Sequence, residues 1–321
     1  MVPHNDQIQI GYDPCMLCPR RCGSFRSALS ARGRVPYCGE SSTVRVAYVG
    51  PHFGEEPPIS GVRGSGTVFF SGCSLKCSYC QNHQITQLAM GKPVTLKELF
   101  VLVKAMIDDF GVHNINMVTP DHFFPDVFRL VDMLKRGGYE LPIVYNLSGY
   151  QSVEMIREAE SRADIYLPDY KYSDGKLAAT LSGCGNYPRI ALKAIYEMVR
   201  QKGFLDRCGG TSSSASRGVL VRHLILPGHI ENSLAAVTSL FVEFGRELPV
   251  SLMSQYRPVV PQKHEELNRA ITVEESNVVY QYVQELGFEN LFIQFPEKKG
   301  RGGDLDFPLV PDFGRERPFE G

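Results

Sequence analysis

Ser71-Gly-Cys-Ser-Leu-Lys-Cys-Ser-Tyr-Cys80 follows the apolar run Thr67-Val-Phe-Phe70 and leads into Gln81-Asn82-His83. A short β-rich run that ends in a small polar loop reads as a strand delivering that loop at one end. The loop holds Cys73, Cys77 and Cys80 in a C-x3-C-x2-C spacing, which can turn three thiolates toward one point. Three thiolates suit three irons of a four-iron cluster and leave the fourth iron open to a cofactor or substrate. A cluster that only carries electrons is more often closed by four cysteines. Zinc, with His83 as fourth ligand, competes with this reading, as do three buried thiols without metal. The position of the loop, directly after an apolar strand that opens an α/β pattern, favours the cluster.

A second cysteine group lies upstream, Cys15-Met-Leu-Cys18-Pro-Arg-Arg-Cys22-Gly and then Val35-Pro-Tyr-Cys38-Gly. Four cysteines at this spacing close an all-sulfur zinc site or hold a second iron–sulfur cluster, and ligand identity does not separate the two. The glycines after Cys22 and Cys38 permit the tight turns that such knuckles need. Residues 1–43 therefore read as a four-cysteine metal-binding module, and residues 44–66 as a strand and linker. The linker is the strand Val44 to Val49, the turn-rich Pro51–Ser60 and the permissive Gly64-Ser-Gly66.

Beyond the cluster loop, Thr95-Leu-Lys-Glu98 has the form of a capping box and opens a helix with Leu99, Leu102, Val103, Met106 and Phe110 in helical spacing. Strands are expected at 114–118, 143–146, 164–168, 218–226 and 249–253. Helices are expected at 127–135, 153–159, 190–201 and 234–244. Thr272-Val-Glu-Glu275 caps a final helix to Leu286, and 291–294 adds a last short strand. Alternating strands and helices predict parallel β/α units, about six of them, which make an open (β/α)6 partial barrel over residues 67–296. Residues 206–216 and the tail 297–321 are irregular by composition.

The chain of 321 residues can bury a large core, and its 43% hydrophobic content is that of a soluble protein. Lys and Arg number 34 against 35 Asp and Glu, a net charge of −1, so bulk charge draws the chain to neither nucleic acid nor anionic membrane. No apolar run is long enough for a membrane span, and the start lacks the regions of a signal peptide. A cytoplasmic location is expected, where nine cysteines point to metal or redox chemistry rather than disulfides. Cys184 and Cys208 stand outside both groups, as free thiols.

In a parallel barrel the reactive groups come from the C-terminal ends of strands. Those ends carry Thr119-Pro-Asp-His122, Asn146-Leu-Ser-Gly149, Asp169-Tyr-Lys171, Arg222-His223 and Ser254-Gln-Tyr-Arg257. Each alone is a polar loop; together they gather at the face that bears the three cysteines.

The cluster loop, Asp169-Tyr-Lys171 and Val221-Arg-His-Leu-Ile-Leu-Pro-Gly228 resemble the radical S-adenosylmethionine (radical SAM) superfamily, in its subgroup similar to the pyruvate formate-lyase activating enzyme. The likeness is closest to uncharacterised homologues of that activase. It is carried by Cys15-x-x-Cys-Pro-Arg-x-Cys22, Ile59-Ser-Gly61, Val118-Thr-Pro120, Tyr166-Leu-Pro-Asp169 and Met253-Ser-Gln-Tyr-Arg-Pro258. The resemblance implies a partial barrel and a [4Fe-4S] cluster on Cys73, Cys77 and Cys80 whose open iron binds S-adenosylmethionine. Thr119 and His122 fall where activases have a Gly-Gly-Glu segment that receives the cofactor's amino group. Asn146 and Ser148 fall at the ribose. Asp169 shares the strand end of Lys171, and Lys171 and Arg222 would face the cofactor carboxylate. The implied reaction is reductive cleavage of the cofactor to a 5′-deoxyadenosyl radical that takes hydrogen from a substrate, fed by a one-electron reductant such as a flavodoxin or ferredoxin. The substrate is a glycine on a partner protein in an activase, or a small molecule or peptide otherwise. An electron carrier with two closed clusters is the reading from another class, and no evident fourth ligand to the three cysteines supports it.

Overall fold

In the computed structural model, residues 10–28, 35–208, 214–295, 315 and 318–319 are described. The sequence-level expectations for 297–314 and for 209–213 lie outside them. The strands are β1 (Arg45–His52), β2 (Ser65–Phe70), β3 (Lys92–Pro93), β4 (Ile115–Val118), β5 (Ile143–Leu147), β6 (Ile165–Pro168), β7 (Gly218–Val219), β8 (Val221–Leu224), β9 (Val250–Met253) and β10 (Leu291–Gln294). The helices are α1 (Pro57–Ser60), α2 (His83–Thr86), α3 (Leu96–Phe110), α4 (Phe124–Arg136), α5 (Val153–Ala159), α6 (Gly175–Ser182), α7 (Tyr187–Lys202), α8 (Ile230–Phe244) and α9 (Val273–Leu286).

The strands β2, β4, β5 and β6 run parallel and in register, with Phe69 opposite Val118, Val118 opposite Asn146 and Leu147 opposite Pro168. A second parallel set, β8–β9–β10, continues the wall. All six residues of β2 and all four of β4 and β6 are buried, as expected of strands covered on both faces. Counting β2, β4, β5, β6, β8 and β9 with the helices α3, α4, α5, α7, α8 and α9 gives the (β/α)6 partial barrel expected from the pattern. The opposite edge is antiparallel, β3–β1–β2.

Local chemistry explains most boundaries. Thr95 caps α3 and Thr272 caps α9, each by a reciprocal box with Glu98 or Glu275. Helix α4 starts three residues before the apolar spacing suggests, because Pro125 suits a first turn and Phe124 is wholly buried. It buries Val127, Phe128, Leu130, Val131 and Leu134, each worth about 1.5–3 kcal/mol when taken out of water.

The single strand expected over 218–226 is corrected. Gly218 has φ +125°, and a side chain there would overlap the Phe204–Leu205 backbone, so glycine is needed where β7 begins. Val219 pairs with Tyr166, whereas Val221 already pairs with Val250. The two sheets meet at a parallel bridge between Asp169 and Arg222, reinforced by Tyr170 N–H to the Arg222 carbonyl at 2.8 Å. This seam lies at the strand ends that form the cleft.

Candidate metal centre and cofactor cleft

Strand β2 delivers the cysteine loop at its C-terminal end. Ser71 N–H bonds the Arg45 carbonyl at 3.0 Å, and Gly72 N–H bonds that of Ile85 at 3.0 Å. Gly72 has φ +80°, and a Cβ there would stand 2.9 Å from the Cys38 carbonyl, so only glycine passes this point. Leu75 N–H points at the Cys73 sulfur (3.3 Å), and the Thr86 hydroxyl at the Cys80 sulfur (3.4 Å). Donors aimed at sulfur favour thiolate. Burial opposes it, raising the Cys73 thiol and pushing that of Cys80 up to about 11. Such thiols surrender their protons to a metal rather than to water.

Cys73, Cys77 and Cys80 line one cleft of about 1050 Å³. His83 does not line it, and neither does Cys184, whose sulfur faces the Ala178 carbonyl at 4.0 Å. Among the described residues no three His, Cys, Asp or Glu side chains are gathered tightly enough to hold a single metal ion. With His83 off the cleft, the three thiols have no histidine from that position to complete a zinc site.

The other strand ends form the rest of the cleft. Thr119, at φ +55°, leaves β4 with its N–H on the Asn146 carbonyl at 3.0 Å. Asn146 and Ser148 lie at the end of β5, and the Ser148 hydroxyl accepts from Gln151 at 3.2 Å. Asp169 and Lys171 form an ion pair at 2.6 Å. Burial pulls the Lys171 ammonium down, but Asp169 and the nearby Cys77 and Cys80 outweigh it, and its pKa is raised. Lys171 is thus a fixed cation beside the cluster thiols.

Two expectations need correction. His122 does not line the cleft. It is buried behind the cysteine loop, with Nε2 2.6 Å from the Ser71 carbonyl, and burial followed by Arg26 lowers its pKa to about 3. It props the stem of the loop as a neutral ring. Arg222 does line the cleft, but its guanidinium is held by both Glu55 and Glu56, with Nε 2.9 Å from Glu56 Oε1. Its charge is already matched by two carboxylates. Burial raises the Glu56 carboxyl, yet Arg222 more than offsets this and the net shift is downward.

Glu55 escaped sequence reading because Gly54-Glu-Glu-Pro-Pro58 reads as a turn. It also accepts from Asn116 at 2.8 Å and Asn146 at 3.4 Å, tying the linker to β4 and β5. Tyr187 was missed too. Its buried hydroxyl lies 2.8 Å from the Ser148 carbonyl and 2.9 Å from that of Asp169, and accepts from Lys171 N–H at 3.0 Å. One phenol thus locks two strand ends together.

The four upstream cysteines sit in two knuckles. Arg21 N–H bonds the Cys18 carbonyl at 2.9 Å, and Gly39 N–H that of Pro36 at 2.9 Å. Burial, with the neighbouring thiols adding to it, pushes Cys18 up to about 12 and raises Cys38. Burial also acts to raise Cys22, but bonds from Ser24 prevail and lower it. The Cys15 sulfur takes a donor from the buried Arg26 at 3.8 Å. The four thiols lie near enough to raise one another's ionisation and have a cation against Cys15, as suits an anionic metal–thiolate centre.

Residues 60–181 match the family described as a 4Fe-4S single cluster domain, a span that holds the three cysteines and every strand end through Lys171. An uncharacterized protein of Methanocaldococcus jannaschii is 27% identical over 232 residues, 70% of this chain and 62% of that protein. The pyruvate formate-lyase-activating enzyme of Clostridium pasteurianum is 27% identical over 167 residues, 50% of this chain and 61% of the enzyme. The chain thus spans less than two thirds of either relative's length. Among solved structures, Streptococcus suis SuiB bound to its precursor peptide SuiA aligns at 14% identity with a TM-score of 0.47, over 69% of this chain and 46% of that one. No helix among the described residues is long and apolar enough to cross a membrane. The 4Fe-4S match thus falls on the very loop whose three thiols line the cleft.

Proposed function

We propose that the protein is a radical SAM enzyme that carries a [4Fe-4S] cluster on Cys73, Cys77 and Cys80 and binds S-adenosylmethionine in the cleft above it. The observation that carries this is three thiols on the wall of one cleft with no fourth cysteine among its lining residues. When bound and reduced, the pair supplies one-electron cleavage of the cofactor to methionine and a 5′-deoxyadenosyl radical, which takes a hydrogen atom from the substrate. The electron comes from a one-electron reductant such as a flavodoxin or ferredoxin.

The chain's own residues orient and exclude. Lys171, beside the thiols and braced by Asp169, is the cation best placed for the cofactor carboxylate. Asn146 and Ser148 offer hydrogen bonds to the ribose, and Thr119 to the amino group. Arg222, engaged by Glu55 and Glu56, sets the shape and charge of the floor instead of binding an anion. Buried Leu75 and Tyr79 keep water from the thiols. The likeness to a pyruvate formate-lyase-activating enzyme supports a glycyl residue of a partner protein as hydrogen donor; a small molecule or peptide is the alternative substrate.

Anaerobically reconstituted protein, reduced with dithionite in the presence of S-adenosylmethionine, should release 5′-deoxyadenosine and methionine. The Cys73/Cys77/Cys80→Ala variant should lose four irons and the cleavage together. An intact cluster that never cleaves the cofactor would return the protein to the electron-carrier reading.

A further inference from the structure

The four-cysteine module has no part in the chemistry above, yet it reaches the cluster loop and its stem at three points. Arg20, between Cys18 and Cys22, is stacked on the Tyr37 ring at 3.8 Å and faces Tyr150 at 5.3 Å. Its Nε donates to the Ser74 carbonyl at 3.0 Å and its Nη2 to that of Leu75 at 3.4 Å. The same fork reaches the Ser182 carbonyl at 2.7 Å and that of Gly183 at 2.5 Å. Two of these carbonyls belong to the stretch between Cys73 and Cys77; the other two end α6. The second point runs from Cys15 through Arg26, which donates to the His122 carbonyl, to His122 against Ser71. The third is the Cys38 carbonyl against Gly72.

These contacts fall on both flanks of Cys73, and they fall on backbone. Ordinary packing between a module and a barrel spreads over side chains of the outer surface. Here one planar guanidinium, stacked on Tyr37 and facing Tyr150, donates to four carbonyls, a set that a lysine cannot reproduce. The cation also sits between two thiol ligands of the module, so its position depends on the shape of that knuckle, which metal fixes.

We propose that the four-cysteine module is a metal-dependent clamp on the cluster loop, with Arg20 as its positioning residue. The clamp rests on the cluster reading for Cys73, Cys77 and Cys80. Metal in the module holds the Cys18–Cys22 knuckle, the knuckle aims Arg20, and Arg20 fixes the backbone from which Cys73 and Cys77 present their sulfurs. The module thereby governs how firmly the cluster is held and in what electronic setting.

The test uses the full chain, purified anaerobically, as wild type, Arg20→Ala, Arg20→Lys and Cys18→Ser. The readouts are metal content, the rate of iron loss to a chelator and the electron paramagnetic resonance spectrum of the reduced cluster. Arg20→Ala should keep the module's metal, lose cluster iron on the order of tenfold faster and shift the spectrum, since several charge-assisted bonds are gone. Arg20→Lys should recover only part of this, and Cys18→Ser should lose the module's metal and match Arg20→Ala in iron loss and spectrum. Wild-type spectrum and iron loss in Arg20→Ala would overturn the clamp and leave the cluster reading standing. A wild type that holds no cluster on the three cysteines would remove the ground of both. Should Arg20→Ala misfold, hydrogen exchange on wild type and Cys18→Ser decides. Faster exchange confined to residues 71–80, with β4 and β5 unchanged, supports the clamp, and uniform exchange overturns it.

Discussion

Replacing Arg222 with Met should cost about 3–5 kcal/mol of stability, the penalty for leaving buried charge without its partner. The side chains of Arg222, Glu55 and Glu56 are only 8%, 7% and 8% exposed, so water cannot take over the role of the guanidinium. Methionine fills comparable volume, which isolates the charge from any cavity. Two carboxylates would then share one pocket, helped only by neutral donors such as Asn116 at 2.8 Å. They would bind protons, and their folded pKa would rise above the unfolded value. A group raised in this way contributes full stability below its unfolded pKa and loses it as pH rises. The variant should therefore be more stable relative to wild type at pH 5 than at pH 7.5. Equilibrium urea unfolding of the metal-free chain at both pH values measures this. Adding Glu55→Gln and Glu56→Gln should return stability to within about 2 kcal/mol of wild type, because the cost lies in the orphaned charges. Loss of less than about 1 kcal/mol, or a pH slope equal to that of wild type, would refute the reasoning. Against a typical domain stability of about 5–15 kcal/mol the predicted loss is easily measured.

Three further outcomes are expected. Gly149 has φ +80° and a Cβ there would overlap the Asp169 carbonyl, so Gly149→Ala should lose more than about 2 kcal/mol by thermal unfolding and weaken S-adenosylmethionine binding measured by calorimetry. Tyr187→Phe removes the hydroxyl that joins Ser148, Asp169 and Lys171, and should cost about 1–3 kcal/mol in denaturant unfolding with little change in secondary structure by circular dichroism. Burial lowers His122 to about 3 and His223 to about 4, so both are neutral in the folded chain. A histidine depressed in this way withdraws stability as pH falls below its unfolded value near 6.5. The two together should remove about 4 kcal/mol between pH 7 and pH 5. A His122→Asn/His223→Asn variant that keeps the wild-type pH dependence would show that these rings are not its source.

The cysteine loop, the parallel units and the capped helices α3 and α9 were legible because their signals are local. Cys73, Cys77 and Cys80 lie within eight residues, and the capping boxes within four. What escaped is what depends on distant partners. Glu55 and Glu56 read as turn residues until Arg222, 167 and 166 positions away, closes on them. His122 looks like a cleft residue by its place after a strand, but the buried Arg26 and the Ser71 carbonyl draw it behind the loop. Helix α6 has no apolar stripe long enough to register over eight residues and begins at Gly175. The break between β7 and β8 falls within the apolar Val219-Leu-Val221, so composition does not mark it; the change of partner from Tyr166 to Val250 does.

The grip of Arg20 on Ser182 spans 162 positions of chain, and this separates two moments in the life of the molecule. At roughly 5–20 residues per second, a ribosome needs roughly 8–32 seconds to extend the chain from one partner to the other. Once Cys80 is made, 60 positions into that stretch, all seven cysteines of the two groups exist, but the Ser182 carbonyl that completes the clamp does not. Their thiols are exposed before the fold can shelter them. Cells short of reductant or metal during synthesis should therefore accumulate damage at these positions in newly made chains, while chains already folded are spared.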